Sequence, residues 1–90
     1  MNSTHRRRKE VLDRLSRIEG HIRGIRNMVE EDRTCSELLI QIAAVRAALN
    51  KIGQIILDDH METCIVDAMR EGKHEKALSE LKEALSQYLR

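Results

Sequence analysis

The chain has 90 residues, with no proline, phenylalanine or tryptophan and a single tyrosine. This length holds at most one domain, and we expect that domain to span residues 1–90, with residues 1–5 disordered. No run of consecutive apolar residues approaches the roughly 18 needed to cross a membrane. No apolar stretch follows the N-terminal basic residues, as it would in a secretory signal. We therefore expect a cytoplasmic protein with no membrane partner.

The net charge of +1 conceals an uneven distribution. Residues 1–26 carry eight basic and three acidic side chains, whereas residues 27–90 carry eight basic and twelve acidic ones. Segregated positive charge is typical of a protein with an anionic partner such as nucleic acid. A solvated helix face with a basic tail is the alternative that charge alone leaves open. A chain this small also supports only a marginal core, which favours oligomerisation.

The spacing of apolar residues predicts an all-α fold of three helices. In the first segment they recur at alternating steps of four and three, which predicts a helix over about residues 6–31. Thr34 and Glu37 then form a capping-box pattern, and the same spacing continues through a second helix over residues 35–70. Gly53 is tolerated within this helix, and Gly72 is a plausible stop. A short third helix follows, with Leu78, Leu81, Leu85 and Tyr88 on one face.

Two side chains on the second helix are candidate metal ligands. His60 and Cys64 are four residues apart, so they lie on the same helix face, and both suit a soft metal. This pair alone is a weak motif, because a buried Cys beside a hydrogen-bonded His gives the same pattern. Cys35 adds weight, since unpaired N–H groups in the first turn of a helix stabilise a thiolate. In the cytoplasm, two cysteines indicate thiol chemistry rather than a structural disulfide.

One chain cannot bring these three residues to one metal ion. Cys35 and His60 are 25 residues apart, nearly 40 Å along a continuous helix. An antiparallel copy of the second helix would place Cys35 of one subunit beside residues 60–64 of the other, giving two equivalent sites. The two-fold axis would fall near residue 48 or 49, among small residues that allow close approach (Ala43, Ala44, Ala47 and Ala48). Two thiolates and one imidazole suit three-coordinate Cu(I), whereas structural zinc normally has four protein ligands. No general base or phosphate-binding loop is evident, so we do not expect an enzyme.

The segment Arg14-Leu15-Ser16-Arg17-Ile18-Glu19-Gly20, then Cys35, the segment from Gln41 to Asn50, His60 and Cys64 resemble the copper-sensitive operon repressor family (CsoR/RcnR). The likeness runs without gaps from about Lys9 to Arg90. It implies a three-helix subunit, an antiparallel dimer and a dimer-of-dimers tetramer that binds operator DNA without a helix-turn-helix.

The resemblance also implies roles for particular residues. Cys35, His60 and Cys64 match the Cu(I) ligands, with Cys35 supplied by the neighbouring subunit. Arg14, Arg17 and Lys51 match DNA-contacting positions, and Glu80 matches an acid proposed to couple the ligating His to the third helix; these seven residues are the predicted site. The implied function is a repressor that releases DNA on binding Cu(I) and so derepresses copper resistance or efflux genes.

Other inducers occur within the same family. Nickel and cobalt sensors have His where this chain has Cys64 and recruit an N-terminal His, for which His5 is a candidate. Formaldehyde sensors lack the thiol at position 64, and persulfide sensors place a Cys at the position of His60. The Cys-His-Cys set therefore matches the copper branch. A copper-handling helical bundle that does not bind DNA is the alternative from another functional class.

Overall fold

A computed structural model describes residues 6–60, 66–72 and 74–89. These residues form four helices: α1 (Arg8–Glu30), α2 (Cys35–His60), α3 (Val66–Arg70) and α4 (His74–Tyr88). No strand occurs among them, so the all-α prediction is confirmed. The predicted first helix is correct to within two residues at each end. Both α2 and α3 lie inside the segment 35–70 that was predicted as one helix, and residues 61–65 between them lie outside the described residues.

A tight turn joins α1 to α2. Asp32 adopts the left-handed conformation with φ of 56°. Its N–H donates to the Val29 carbonyl at 3.1 Å, and the next N–H, from Arg33, donates to the Met28 carbonyl at 3.0 Å. This is the Schellman pattern that ends many helices, with Asp in the place that Gly usually holds. The α3–α4 turn follows the more common choice: Gly72, with φ of 73°, donates to the Met69 carbonyl at 3.2 Å.

Thr34 caps the start of α2, as its sequence position predicts. Its Oγ1 accepts a hydrogen bond from the Glu37 N–H at 3.2 Å, which satisfies one of the donors left free at a helix N-terminus. The Glu37 carboxylate accepts a hydrogen bond from Arg33 Nε at 2.7 Å, an interaction that the capping-box pattern did not predict. This bond raises the pKa of Arg33 above its ordinary value.

We expect Thr34→Ala to lower the free energy of unfolding by about 1 kcal/mol, because the Glu37 N–H loses its acceptor. Thermal melts followed by circular dichroism at one fixed protein concentration would show a decrease of about 4–8 °C. Thr34→Ser keeps the hydroxyl and is the matched control. A Ser variant as destabilised as the Ala variant would contradict the capping role.

The helices α1 and α2 pack as a hairpin around a narrow core. The buried side chains of this core are Ile18, Val45 and Ile52, with Val11, Ile25, Ala48 and Ile56 packed against them. Five other apolar residues with the same alternating spacing of four and three are exposed: Leu15, Ile22, Val29, Ile42 and Leu49, with Ile22 at 51% and Val29 at 56%. On each helix these exposed residues lie beside the buried ones. We call the five exposed residues the apolar stripe.

The molecule is thin, with extents of 56 × 27 × 14 Å. Over an 18-residue window, α2 has a mean hydropathy of 1.2, which by length and composition alone would allow it to cross a membrane. The core helix of a soluble protein passes the same test. Here α2 contributes apolar residues both to the hairpin core and to the apolar stripe, an arrangement typical of a helix that packs on more than one neighbour.

Candidate metal site and nucleic-acid interface

Two of the three predicted metal ligands lie at opposite ends of α2. Cys35 is its first residue and is exposed, and His60 is its last residue and is partly buried. At 1.5 Å per residue the helix separates them by about 38 Å. Cys64 and the alternative ligand His5 lie outside the described residues. Within the part of the chain that the structure describes, no three His, Cys, Asp or Glu side chains converge as a metal site would require.

The ligand end of α2 is tied to the start of α1. Asp59, directly before His60, is only 3% exposed. Its Oδ2 accepts a hydrogen bond from the backbone N–H of Arg7 at 3.3 Å. Sequence reasoning missed this contact, although a signal was available. Asp59 follows Val45 and Ile52 at seven-residue spacing, so a carboxylate falls on the buried line of the helix.

A second carboxylate organises the basic residues at the start of α1. Glu10 accepts hydrogen bonds from Arg7 Nε at 2.9 Å and Arg7 Nη2 at 3.1 Å, and from Arg14 Nε at 3.2 Å. The hydrogen bond from Arg7 is the main reason that the pKa of Glu10 is lowered, and the bond from Arg14 adds to it. Arg14, a predicted DNA-contacting residue, is therefore held by Glu10. The neighbouring carboxylate of Asp13 instead pairs with Lys9 at 2.9 Å.

We expect Arg7→Gln to raise the pKa of Glu10 toward its ordinary value of 4.5, and to raise it more than Arg14→Gln does. Since the folded-state pKa is lowered, the pair stabilises the fold above the unfolded carboxyl pKa. That stabilisation is lost as the pH falls through the lowered folded value. Carbon-detected NMR titration of the Glu10 carboxyl would measure all three midpoints. Equal midpoints in the wild type and both variants would contradict the network.

Arg14 and Arg17 line one side of an open groove between α1 and α2. Ile18, His21 and Ala48 complete its walls. His21 has a partner on the facing helix. It is partly buried, and its Nε2 lies 2.7 Å from Gln41 Oε1 on α2. The third predicted DNA residue, Lys51, is exposed on α2 one turn beyond Ala48.

The groove therefore places two guanidinium groups and an imidazole along one strip of surface. Lys51 lies on α2, one helical turn beyond Ala48 in the groove wall. Arg17 is the more exposed of the two arginines, and Arg14 is partly buried. Such a strip matches the electrostatic requirement for holding the phosphates of a nucleic acid. Glu80, predicted to couple the ligating His to the last helix, is an exposed residue of α4, and its role stays a prediction.

A family model described as metal-sensitive transcriptional repressor matches residues 7–87. Among curated proteins, the copper-sensing transcriptional repressor CsoR of Bacillus subtilis (strain 168) is 40% identical over 87 residues. The match covers 97% of this chain and 86% of that protein.

Two solved structures are also similar. The copper-sensing repressor CsoR with Cu(I) from Geobacillus thermodenitrificans NG80-2 has a TM-score of 0.92 and 38% identity, covering 100% of this chain and 94% of the other. The nickel-responsive transcriptional regulator InrS has a TM-score of 0.77 and 56% identity, covering 89% of this chain and 90% of the other. The two structures respond to different metals, so the likeness in fold does not by itself select the metal.

Proposed function

Because the chain belongs to the metal-sensitive transcriptional repressor family, we propose that it is a cytoplasmic Cu(I)-responsive repressor that binds operator DNA without the metal and releases it when Cu(I) binds. Release would derepress genes for copper resistance or efflux. Cys35, His60 and Cys64 are the proposed ligands. The protein is a regulator rather than an enzyme.

The observation that carries this proposal is the position of Cys35 and His60 at the two ends of one uninterrupted helix. A soft thiolate and an imidazole are suitable donors for Cu(I), but the helix holds them about 38 Å apart in a single chain. An antiparallel second chain would bring Cys35 of one subunit to the His60 end of the other, and the exposed thiol is available for that role. Each dimer would then hold two equivalent sites.

The apolar stripe supports the same dimer. Leu15, Ile22, Val29, Ile42 and Leu49 lie exposed beside the hairpin core. Contiguous exposed apolar surface of this kind typically marks an interface. We propose that the stripes of two subunits cover each other to form an antiparallel dimer, and that two dimers form a tetramer.

DNA binding is assigned to Arg14, Arg17 and Lys51. Contacts from such side chains to phosphates make affinity fall linearly with salt concentration on a logarithmic scale. Copper that ties two subunits together would favour an arrangement in which these basic groups no longer fit the duplex. By linkage, DNA then weakens copper binding by the same factor, and a hundredfold factor corresponds to roughly 2.7 kcal/mol. Glu80 is proposed to couple His60 to the last helix.

Nickel is the second candidate inducer. InrS, a nickel-responsive regulator, is 56% identical to this chain, a higher identity than that of the Cu(I)-bound CsoR structure. The Cys-His-Cys donor set favours copper, since two thiolates and a low coordination number suit Cu(I). His5 is the residue that a nickel site could recruit.

Fluorescence anisotropy with the DNA upstream of the protein's own gene would test the proposal. Binding would be followed under anaerobic conditions, then after adding Cu(I), Ni(II) or formaldehyde in separate titrations. We expect tight binding that is released by about one Cu(I) per subunit, because each dimer holds two sites. Cys35→Ala should bind DNA and fail to respond, and Cys35→Ser repeats the test with a near-isosteric side chain.

Each outcome assigns a different function. Release by Ni(II) or formaldehyde would support the assignment as a repressor and would identify a different inducer. Copper binding without affinity for this DNA or other promoter DNA would favour the copper-handling bundle. An affinity that does not change with salt would contradict the assignment of Arg14, Arg17 and Lys51 to the DNA phosphates.

A further inference from the structure

The one tyrosine of the chain connects the end of α4 to the middle of α2. Tyr88, the last residue of α4, donates a hydrogen bond from its hydroxyl group to Asn50 Oδ1 at 3.1 Å. Its side chain is half exposed, so the ring covers the surface of α2 rather than filling a core. The contact joins residues 38 positions apart in the sequence.

Gly53 provides the space for this ring. A Cβ built at Gly53 would lie 2.7 Å from Tyr88 Cζ and still closer to the hydroxyl oxygen, so any larger residue would displace the side chain. This explains a glycine in the middle of a helix, where it costs about 1 kcal/mol relative to alanine. Asn50 and Gly53 together form a seat for the tyrosine, and we call this contact the Tyr88 latch.

The latch lies at the edge of the apolar stripe. Gly53 is four residues after Leu49, so the two positions are neighbours on the same face of α2. Leu49 is exposed and belongs to the stripe assigned to the dimer interface. The latch therefore joins the end of α4, which follows the ligand-bearing end of α2 in the chain, to the border of that interface.

We propose that Tyr88 is a positioning residue that couples the metal-ligand end of the subunit to the dimer interface, and so carries part of the effect of metal on DNA binding. The inference rests on the proposed function. When seated, the latch makes α4 and the middle of α2 move together. A change at the ligand end then reaches the interface through α4 as well as along α2. Without the latch, α4 is released from this border and that part of the coupling is lost.

Four variants separate the latch from a general loss of stability. Gly53→Ala blocks the seat while leaving Tyr88 intact, and Tyr88→Ala removes the ring. The double variant should be no worse than either single variant if both act on one contact. Tyr88→Phe keeps the ring and loses only the hydrogen bond to Asn50, so we expect it to lie between Tyr88→Ala and the wild type.

The measured quantity is the ratio of DNA affinities without and with Cu(I), for each variant beside the wild type. We expect this ratio to fall at least about tenfold in Gly53→Ala and Tyr88→Ala, which corresponds to about 1.4 kcal/mol. Since Tyr88 is the only aromatic residue, its intrinsic fluorescence reports the seat directly. Iodide should quench it more efficiently in Gly53→Ala than in the wild type.

The possible failures are distinguishable. If the wild type is released by Cu(I) and all variants keep its affinity ratio, the inference is wrong and the proposed function stands. Unchanged quenching in Gly53→Ala would overturn the latch itself. A wild type that binds the DNA and ignores Cu(I) would overturn the proposed function, and the coupling role of Tyr88 with it.

Discussion

Copper binding is expected to return when Cys35→Ala and His60→Ala subunits, each unable to bind copper tightly alone, are unfolded and refolded together. Groups that merely support metal ligands cost 10- to 100-fold in affinity when removed, so loss of a ligand should cost at least about a hundredfold. In a mixed dimer, the intact Cys35 of one subunit meets the intact His60 of the other at one of the two sites. Random pairing makes about half of the dimers mixed, which restores about a quarter of all sites.

Titration against a chromogenic Cu(I) chelator would count these restored sites. The matched control mixes Cys35→Ala with the double variant Cys35→Ala/His60→Ala, which offers no intact Cys35 and should restore nothing. Equal readings for the two mixtures would show that each site is built within one chain. That result would contradict the antiparallel dimer. It would also require α2 to change, because this 26-residue helix holds Cys35 and His60 at its opposite ends within one chain.

The second large effect concerns the apolar stripe. We expect Ile22→Glu to convert the proposed dimer into single subunits at micromolar concentration. Ile22 is 51% exposed within one chain, so the substitution costs the isolated hairpin little. Within the dimer interface, however, the new carboxylate would lose its hydration without gaining a partner of opposite charge. Multi-angle light scattering would give the mass, and Cu(I) and DNA binding should both disappear together with the dimer.

Ser16→Glu is the control on the same helix. Ser16 is exposed and lies about 160° around α1 from the buried Ile18, on the side away from the hairpin core and the stripe. The same charge should leave the mass unchanged there. If Ile22→Glu kept the wild-type mass, the interface would have to lie on a different face of the hairpin.

Sequence periodicity predicted the helices well because the apolar spacing is regular and the residues that begin and end the helices are the usual ones. Thr34 caps α2 and Gly72 ends α3, as their residue types predict. The turn at Asp32 had no such signal, since an aspartate seldom takes the left-handed position. Periodicity also assigned Ile18 and Ile22 to the same apolar face of α1, although Ile18 is buried and Ile22 is exposed. A seven-residue pattern shows which residues avoid water but not whether the partner helix belongs to the same chain.

The predicted site depended on different information. The separation of Cys35 from His60 follows from helix geometry, and the structure confirms that α2 holds them at its two ends. Glu10 bonds Arg7 and Arg14 at the three- and four-residue spacings of one helix, and the seven-residue spacing of Asp59 from Ile52 indicates that its carboxylate is buried. The residues that Asp59 and His21 contact could not be predicted, because Arg7 and Gln41 lie far away in the sequence and are brought close by packing. A single sequence gives the face on which a side chain lies, whereas the partner on that face is set by how the helices pack.

The thinness of the subunit has a consequence for how long it survives in a cell. In the described part of the chain, the buried apolar side chains are Ile18, Val45, Ile52 and Ile55, and the shortest extent of the molecule is 14 Å. In the proposed dimer, association would supply most of the resistance to unfolding of a chain with so small an interior, and stability would rise with the concentration of the protein. Newly synthesised subunits that have not found a partner should be degraded quickly, and assembled ones slowly. Protein turnover would then make the amount of assembled repressor depend more steeply on the rate at which the subunit is synthesised.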